Sequence, residues 1–217
     1  TDRASVAQAA EFIKSKTDKI DILINVAGCV VAGPVEIINT DNLRKQFDIN
    51  VFSHIELTQK LLPVLENGRI ITISSMASFG QFPFISPYCA SKRALDIFFN
   101  AFYIENHKNI TVISIKPGVI ATPIWEKSVE ANSELINNCG DYECEMTYLK
   151  NNALKNTSKG LKVEKVGEFI QKIALKKHPK SSYTIGTDAK LAHILSYFPQ
   201  DWVNKLVKLG LKYRINR

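Results

Sequence analysis

Three residues between Gly68 and Lys92 have the types and the spacing to move a proton at an alcohol or a carbonyl: Ser75, Tyr88 and Lys92. A free phenol titrates near about 10, too high to release its proton readily at neutrality, and an ammonium beside it favours the phenolate. Lys92, four residues after Tyr88, is therefore expected to bring the phenol down toward the working range. Ser75 would hydrogen-bond the oxygen of the reacting group. Together they suit proton transfer at a carbinol, the proton half of a hydride-transfer reaction. A Tyr and a Lys four apart on a helix are, taken alone, more often an ordinary packed or solvated face. The elements around them must carry the reading.

Those elements alternate between strand and helix. Arg69 to Ile73 is a short β-branched run ending in Ser74 and Ser75, as a buried strand does when it releases polar groups at its carboxyl end. Open α/β sheets keep their ligands at that end. After a loop rich in Phe, Ser and Pro, the apolar periodicity predicts a helix over 86–106 with Tyr88 and Lys92 on one face. Amphipathic helices are also predicted over 4–18 and 163–175, and strands over Ile20 to Val26, Ile110 to Ile115 and Ser181 to Ile185. A long helix over 40–66, opened by the capping types Thr40-Asp41-Asn42, holds Asn50 at mid-length, where the bland reading is a tolerated amide. Pro117 cannot donate to a sheet and Gly118 permits close approach, so pairing is expected to stop there. Residues 124–160 mix Trp125 and other apolar residues with Asn, Glu and Lys and predict short helices over the mouth of the site, a substrate lid. Phe82, Phe84 and Trp125 are candidates to line its pocket, although ordinary packing explains them equally well.

Taken in order, Asp21-Ile-Leu-Ile-Asn-Val-Ala-Gly28, Asn50, the Ile-Ser-Ser that ends at Ser75, Tyr88-Cys-Ala-Ser-Lys92 and Pro117-Gly-Val-Ile-Ala-Thr-Pro123 resemble the motifs of the short-chain dehydrogenase/reductase family in sequence and spacing. The resemblance implies a Rossmann-like doubly wound parallel sheet and an NAD- or NADP-dependent interconversion of an alcohol and a ketone or aldehyde. It implies Tyr88 as acid/base, Ser75 as carbonyl anchor, Lys92 as ribose holder, and Asn50 as the residue that distorts its helix so that a water is held beside the lysine. Asn25, Ala27, Gly28, Tyr88, Lys92, Pro117, Gly118, Ile120 and Thr122 would contact the cofactor, Asn25 also tying neighbouring strands; Val26 departs from the family pattern, which has a second Asn there. Thr1-Asp2 resembles the end of a third strand after a βαβαβ unit of roughly sixty residues that carries the phosphate loop. No GxGxxG or TGxxxGxG occurs in the 217 residues. The chain is therefore expected to be a fragment of a longer protein or a variant that folds poorly alone, with an unpaired edge on the strand at Ile20 to Val26. In relatives the helices over 40–66 and 86–106 often build a dimer, so a homo-oligomer is expected.

Length and composition fit a single domain over 1–217. The formal charge of +7 is spread along the chain with acids interleaved, which describes a basic solvated surface better than a nucleic-acid site. Cys29, Cys89, Cys139 and Cys144 form no CxxC and share no metal spacing with the histidines, so reduced thiols, no metal and a cytoplasmic setting are expected. The tail from Trp202 is basic and amphipathic, and a closing helix packed on the domain is expected ahead of a membrane-surface helix. Two readings stand: the oxidoreductase, and a dehydrogenase-like scaffold without catalysis that binds a ligand or a protein.

Overall fold

Four short runs rich in β-branched residues set the architecture. In the computed structural model, which describes residues 2–215, they form β1 (Ile22–Asn25), β2 (Arg69–Ile73), β3 (Thr111–Pro117) and β4 (Ser182–Ile185). All neighbours are parallel, in the order β1-β2-β3-β4. Parallel neighbours need a crossover between them, and helices supply it. The helices are α1 (Arg3–Lys14), α2 (Thr40–Phe47), α3 (Ser53–Leu61), α4 (Ser86–Glu105), α5 (Ile124–Ala131), α6 (Ser133–Asn137), α7 (Glu143–Lys159), α8 (Val163–Ala174), α9 (Thr187–Leu195) and α10 (Gln200–Ile215). Thr1, which the family resemblance placed at the end of a further strand, lies outside the described residues.

Alternation along β2 and β3 splits the core into two layers. Ile70 and Val112 point to one face, where they pack with Leu95 and Phe99 of α4. Ile71, Ile73, Ile113 and Ile115 point to the other, against Ile173 and Ala174 of α8. Helices thus cover both faces, as a parallel sheet requires. β1 is an edge strand, with Val26 just beyond it 60% exposed.

Two boundaries depart from the sequence reading. The helix predicted over 40–66 is capped by Asn39, whose side chain accepts from Asp41 N at 2.8 Å, and a π-helical turn at Asp48–Phe52 separates α2 from α3. Asn50 lies inside that turn, so the expected distortion is present. β3 runs two residues past its predicted end at Ile115, and its pairing stops at Pro117 and Gly118 as expected. Ser114 N and Gly118 N donate to Ser181 and Ile185 of the β4 side, so even-numbered residues serve that neighbour. The missing N–H of Pro117 faces the β2 side, beyond Ile73 where β2 has ended, and nothing there calls on it.

Ile71→Ala opens a void between two buried layers and is expected to cost about 2–5 kcal/mol in denaturant unfolding. Phe98→Ala, at a half-exposed position on α4, should stay within about 1 kcal/mol. Equal losses from the two would contradict the two-layer core.

Candidate active site

The carboxyl end of β2 delivers Ser75 in extended backbone, and its Oγ accepts from Ala77 N at 3.1 Å. That bond orients the hydroxyl and leaves its proton available. Ser75 carbonyl accepts from both Ser78 N and Ser78 Oγ, which fixes the short turn that follows. Tyr88 sits in the first turn of α4, behind Pro87, and faces the same cavity as Ser75. This cavity of about 190 Å³ is walled by apolar side chains, among them Val30, Ala77, Phe82, Val119, Trp125 and Leu149. Phe82 and Trp125 line it as expected. Phe84 does not: its backbone has φ 64°, and its ring packs edge-on against Tyr142 at 6.2 Å.

Lys92 lies one turn along α4 and is only 3% exposed. Its Nζ donates to Ile73 O at 2.9 Å and stands 5.9 Å from the centroid of the Tyr88 ring. Burial pushes the Lys92 amine down to about 8, against the pull of the Asp96 carboxylate four residues on. The expectation that this amine lowers the phenol is not met. Burial pushes Tyr88 up to about 12, and the Ser75 hydroxyl, hydrogen-bonded to the phenol, offsets only part of that. Desolvation disfavours the charged form of both groups and is the largest influence on each.

Asn50 works through its side chain. Its Oδ1 accepts from Cys29 N at 2.8 Å, and its Nδ2 donates to Cys29 O and to Ser91 Oγ, both at 3.0 Å. It therefore ties α4 to the loop after β1. His54, four residues later and not singled out from sequence, donates from Nε2 to Ala27 O at 2.8 Å, and burial holds its pKa below the ordinary histidine value. Gln46 accepts from Val31 N. From the other side Ser128 Oγ and Asn132 Nδ2 donate to Val30 O at 3.1 and 3.2 Å. The signal was present as polar residues four apart, 46/50/54 and 128/132, on helices otherwise amphipathic.

Among the expected cofactor contacts, Gly28 passes so close to the amine that a Cβ there would stand 3.4 Å from both Lys92 Nζ and Asn50 Oδ1. Asn25 is buried, but its Nδ2 has no hydrogen-bond partner, so the strand tie expected of it is absent. Gly118 borders the cavity. It also carries Asp188 of α9 against it: a Cβ at Gly118 would meet Asp188 Oδ1 at 1.9 Å, and Asp188 Oδ2 accepts from Val119 N at 2.8 Å. Asp188, also missed from sequence, fixes the turn after β3. Ile120 and Thr122 lie on that turn outside the cavity lining; Ile120 O accepts from Trp125 Nε1 at 3.1 Å. Spare donors on Lys92, the unpartnered Asn25 amide and the open backbone at Gly28 fit the nicotinamide and ribose half of a dinucleotide. Among the described residues no cluster of His, Cys, Asp or Glu could hold a metal.

The buried amine sets a pH signature in stability. A lysine whose folded pKa lies near 8 and whose ordinary value is 10.5 makes its full contribution to stability above pH 10.5 and loses it as pH falls through 8. Relative to Lys92→Met, the wild type is expected to gain on the order of 3 kcal/mol between those limits. Denaturant unfolding of both proteins across that window measures it, and a constant difference would show that the amine titrates normally.

Comparison with known proteins agrees with this geometry. The family model described as short chain dehydrogenase matches residues 1–133. The probable short-chain type dehydrogenase/reductase VdlC of Helicobacter pylori is 32% identical over 91% of this chain and 73% of its own. The NADPH-dependent 3-dehydrocapnine reductase of Ornithobacterium rhinotracheale is 30% identical over 98% of this chain and 78% of its own. A short chain dehydrogenase from Burkholderia cenocepacia, solved with NADP, superposes with TM-score 0.70 at 20% identity, over 94% of this chain and 74% of its own. With its parallel sheet, the family match over residues 1–133 and a relative 32% identical of which it spans 73%, this chain belongs to the short-chain dehydrogenase/reductase family of oxidoreductases, built on the Rossmann-type nucleotide-binding fold.

Proposed function

We propose that this chain is an NAD(P)-dependent oxidoreductase that interconverts an alcohol with a ketone or aldehyde, Tyr88 acting as acid/base. The observation that carries the reading is that Ser75 and Tyr88 face one apolar cavity while the Lys92 amine is buried directly behind them. A bound nicotinamide supplies or accepts the hydride. Ser75 donates to the substrate oxygen, and Tyr88 holds the proton that this oxygen gains on reduction or loses on oxidation. Lys92, Asn25, Gly28 and the 117–122 turn would hold the nicotinamide and its ribose. The relatives named for NADPH and NADP support this cofactor class.

Asn50 is a positioning residue in this scheme, and a backbone carbonyl released by the π-helical turn would hold the relay water beside Lys92. Helices α5 to α7 form the lid, and their apolar inner wall favours an apolar substrate. Among the described residues β1 forms one edge of the sheet, with no partner on its outer side. Exposed Phe52, Ile97 and Phe98 on the α3–α4 side suit pairing with a second copy.

Binding of NADH and NADPH, followed by turnover over a panel of ketones and alcohols, tests the proposal. Tyr88→Phe is expected to lower turnover by about 10²-fold or more with cofactor affinity nearly unchanged. Turnover close to wild type would remove Tyr88 from the role, and failure to bind either cofactor would favour the non-catalytic scaffold.

A further inference from the structure

Helix α10 carries two apolar stripes, one lining a groove against the body and one largely exposed among the described residues. At about 100° per residue, Val203 and Val207 fall on the side that faces the body, where they line a groove with Phe82, Leu195 and Phe198. This is the closing contact expected from sequence. Trp202, Leu206 and Leu209 fall together on a different side, 67, 64 and 70% exposed, with Tyr213 on the same line. Lys205, Lys208 and Lys212 form a row along the flank of that stripe away from the body, and Asp201 is the only acid in the helix.

We propose that this outward face of α10 is a docking surface for an anionic lipid bilayer, on which the helix lies in the plane of the interface. An apolar stripe bearing Trp and Tyr, beside a row of lysines, is the arrangement an interfacial helix needs. The rings and leucines enter the headgroup boundary, while the lysine stems run along it and set their ammonium groups on the lipid phosphates. Charge complementarity decides the occupant. An antiparallel two-fold pairing of this face with a second copy would set two lysine rows side by side, which like charges oppose. An anionic surface meets both the stripe and the row. α10 also packs against α7, which walls the apolar cavity. No helix among the described residues is long and apolar enough to cross a membrane, and this contact requires none.

Co-sedimentation of the full chain with vesicles of phosphatidylcholine, with and without phosphatidylserine, tests the proposal. Binding is expected to the phosphatidylserine vesicles and to weaken as salt rises. Leu206→Glu with Leu209→Glu should cut it roughly tenfold or more. Replacing Lys205, Lys208 and Lys212 with Gln should reduce the phosphatidylserine-dependent part by roughly a hundredfold. All these positions are exposed, so unchanged circular dichroism and melting of the variants confirm an intact fold. Wild type that stays in the supernatant with both vesicles, or variants that bind as wild type does, would overturn the proposal. So would a halved molecular mass of the leucine variant without vesicle binding by wild type, which would assign the face to a second copy.

Discussion

Burying the amine of Lys92 is a costly local demand, and the neighbouring elements are arranged around meeting it. An ammonium removed from water must find acceptors or opposite charge, or else give up its proton. Here one hydrogen bond goes to the carbonyl of Ile73, the last residue of β2, and Asp96 supplies a favourable field from the next turn of α4. The strand must therefore end where it does. The helix must turn its 88/92/96 row inward, and the loop after β1 must bring Gly28 past the amine with no side chain in the way.

Asp96 shows how far the arrangement extends. It is buried, accepts from Ser114 Oγ at 2.6 Å, and lies 3.4 Å from Nζ of Lys116, which also donates to Ser114 and Ser182. A second buried lysine, on β3, thus balances the carboxylate that steadies the first. Breaking one partner of such a pair leaves an uncompensated charge, typically about 3–5 kcal/mol, whereas the pair as a whole contributes little net stability. Its value lies in fixing geometry, since α4, β3 and β4 are locked in mutual register at the end of the sheet where Ser75 and Gly118 emerge.

Legibility in the sequence followed the range of the interactions. β2 is read at its limits, Arg69 to Ile73, because a continuous β-branched run between polar ends is a local signal. α4 ends one residue from its predicted boundary for the same reason. The loop 27–32 was not readable as a pinned segment, since Gln46, Asn50, His54, Ser128 and Asn132 reach it from distances of 15 to 102 residues along the chain. Spacing placed Tyr88 and Lys92 on one face correctly but carried no information about depth, and depth decides the sign of both pKa shifts. The tail was read for one apolar stripe because periodicity alone does not separate two stripes about 110° apart on the same helix.

Depth also bears on the direction of the proposed reaction. A phenol held near 12 keeps its proton at neutral pH, so in the proposed reaction Tyr88 would begin as a donor. An amine near 8 remains mostly protonated at pH 7 but lies close to release. Proton donation from Tyr88 leaves a phenolate whose nearest positive charge is that ammonium, at a depth where water screens little. In the proposed scheme the raised phenol would hold the proton until a carbonyl oxygen arrives, and the charge on Lys92 would matter most after the proton has gone. Asn50 holds Cys29 and Ser91 together and so ties α4 to the β1 loop beside the amine, and in the proposed scheme this preorganisation would spare the ammonium a rearrangement when the phenolate forms.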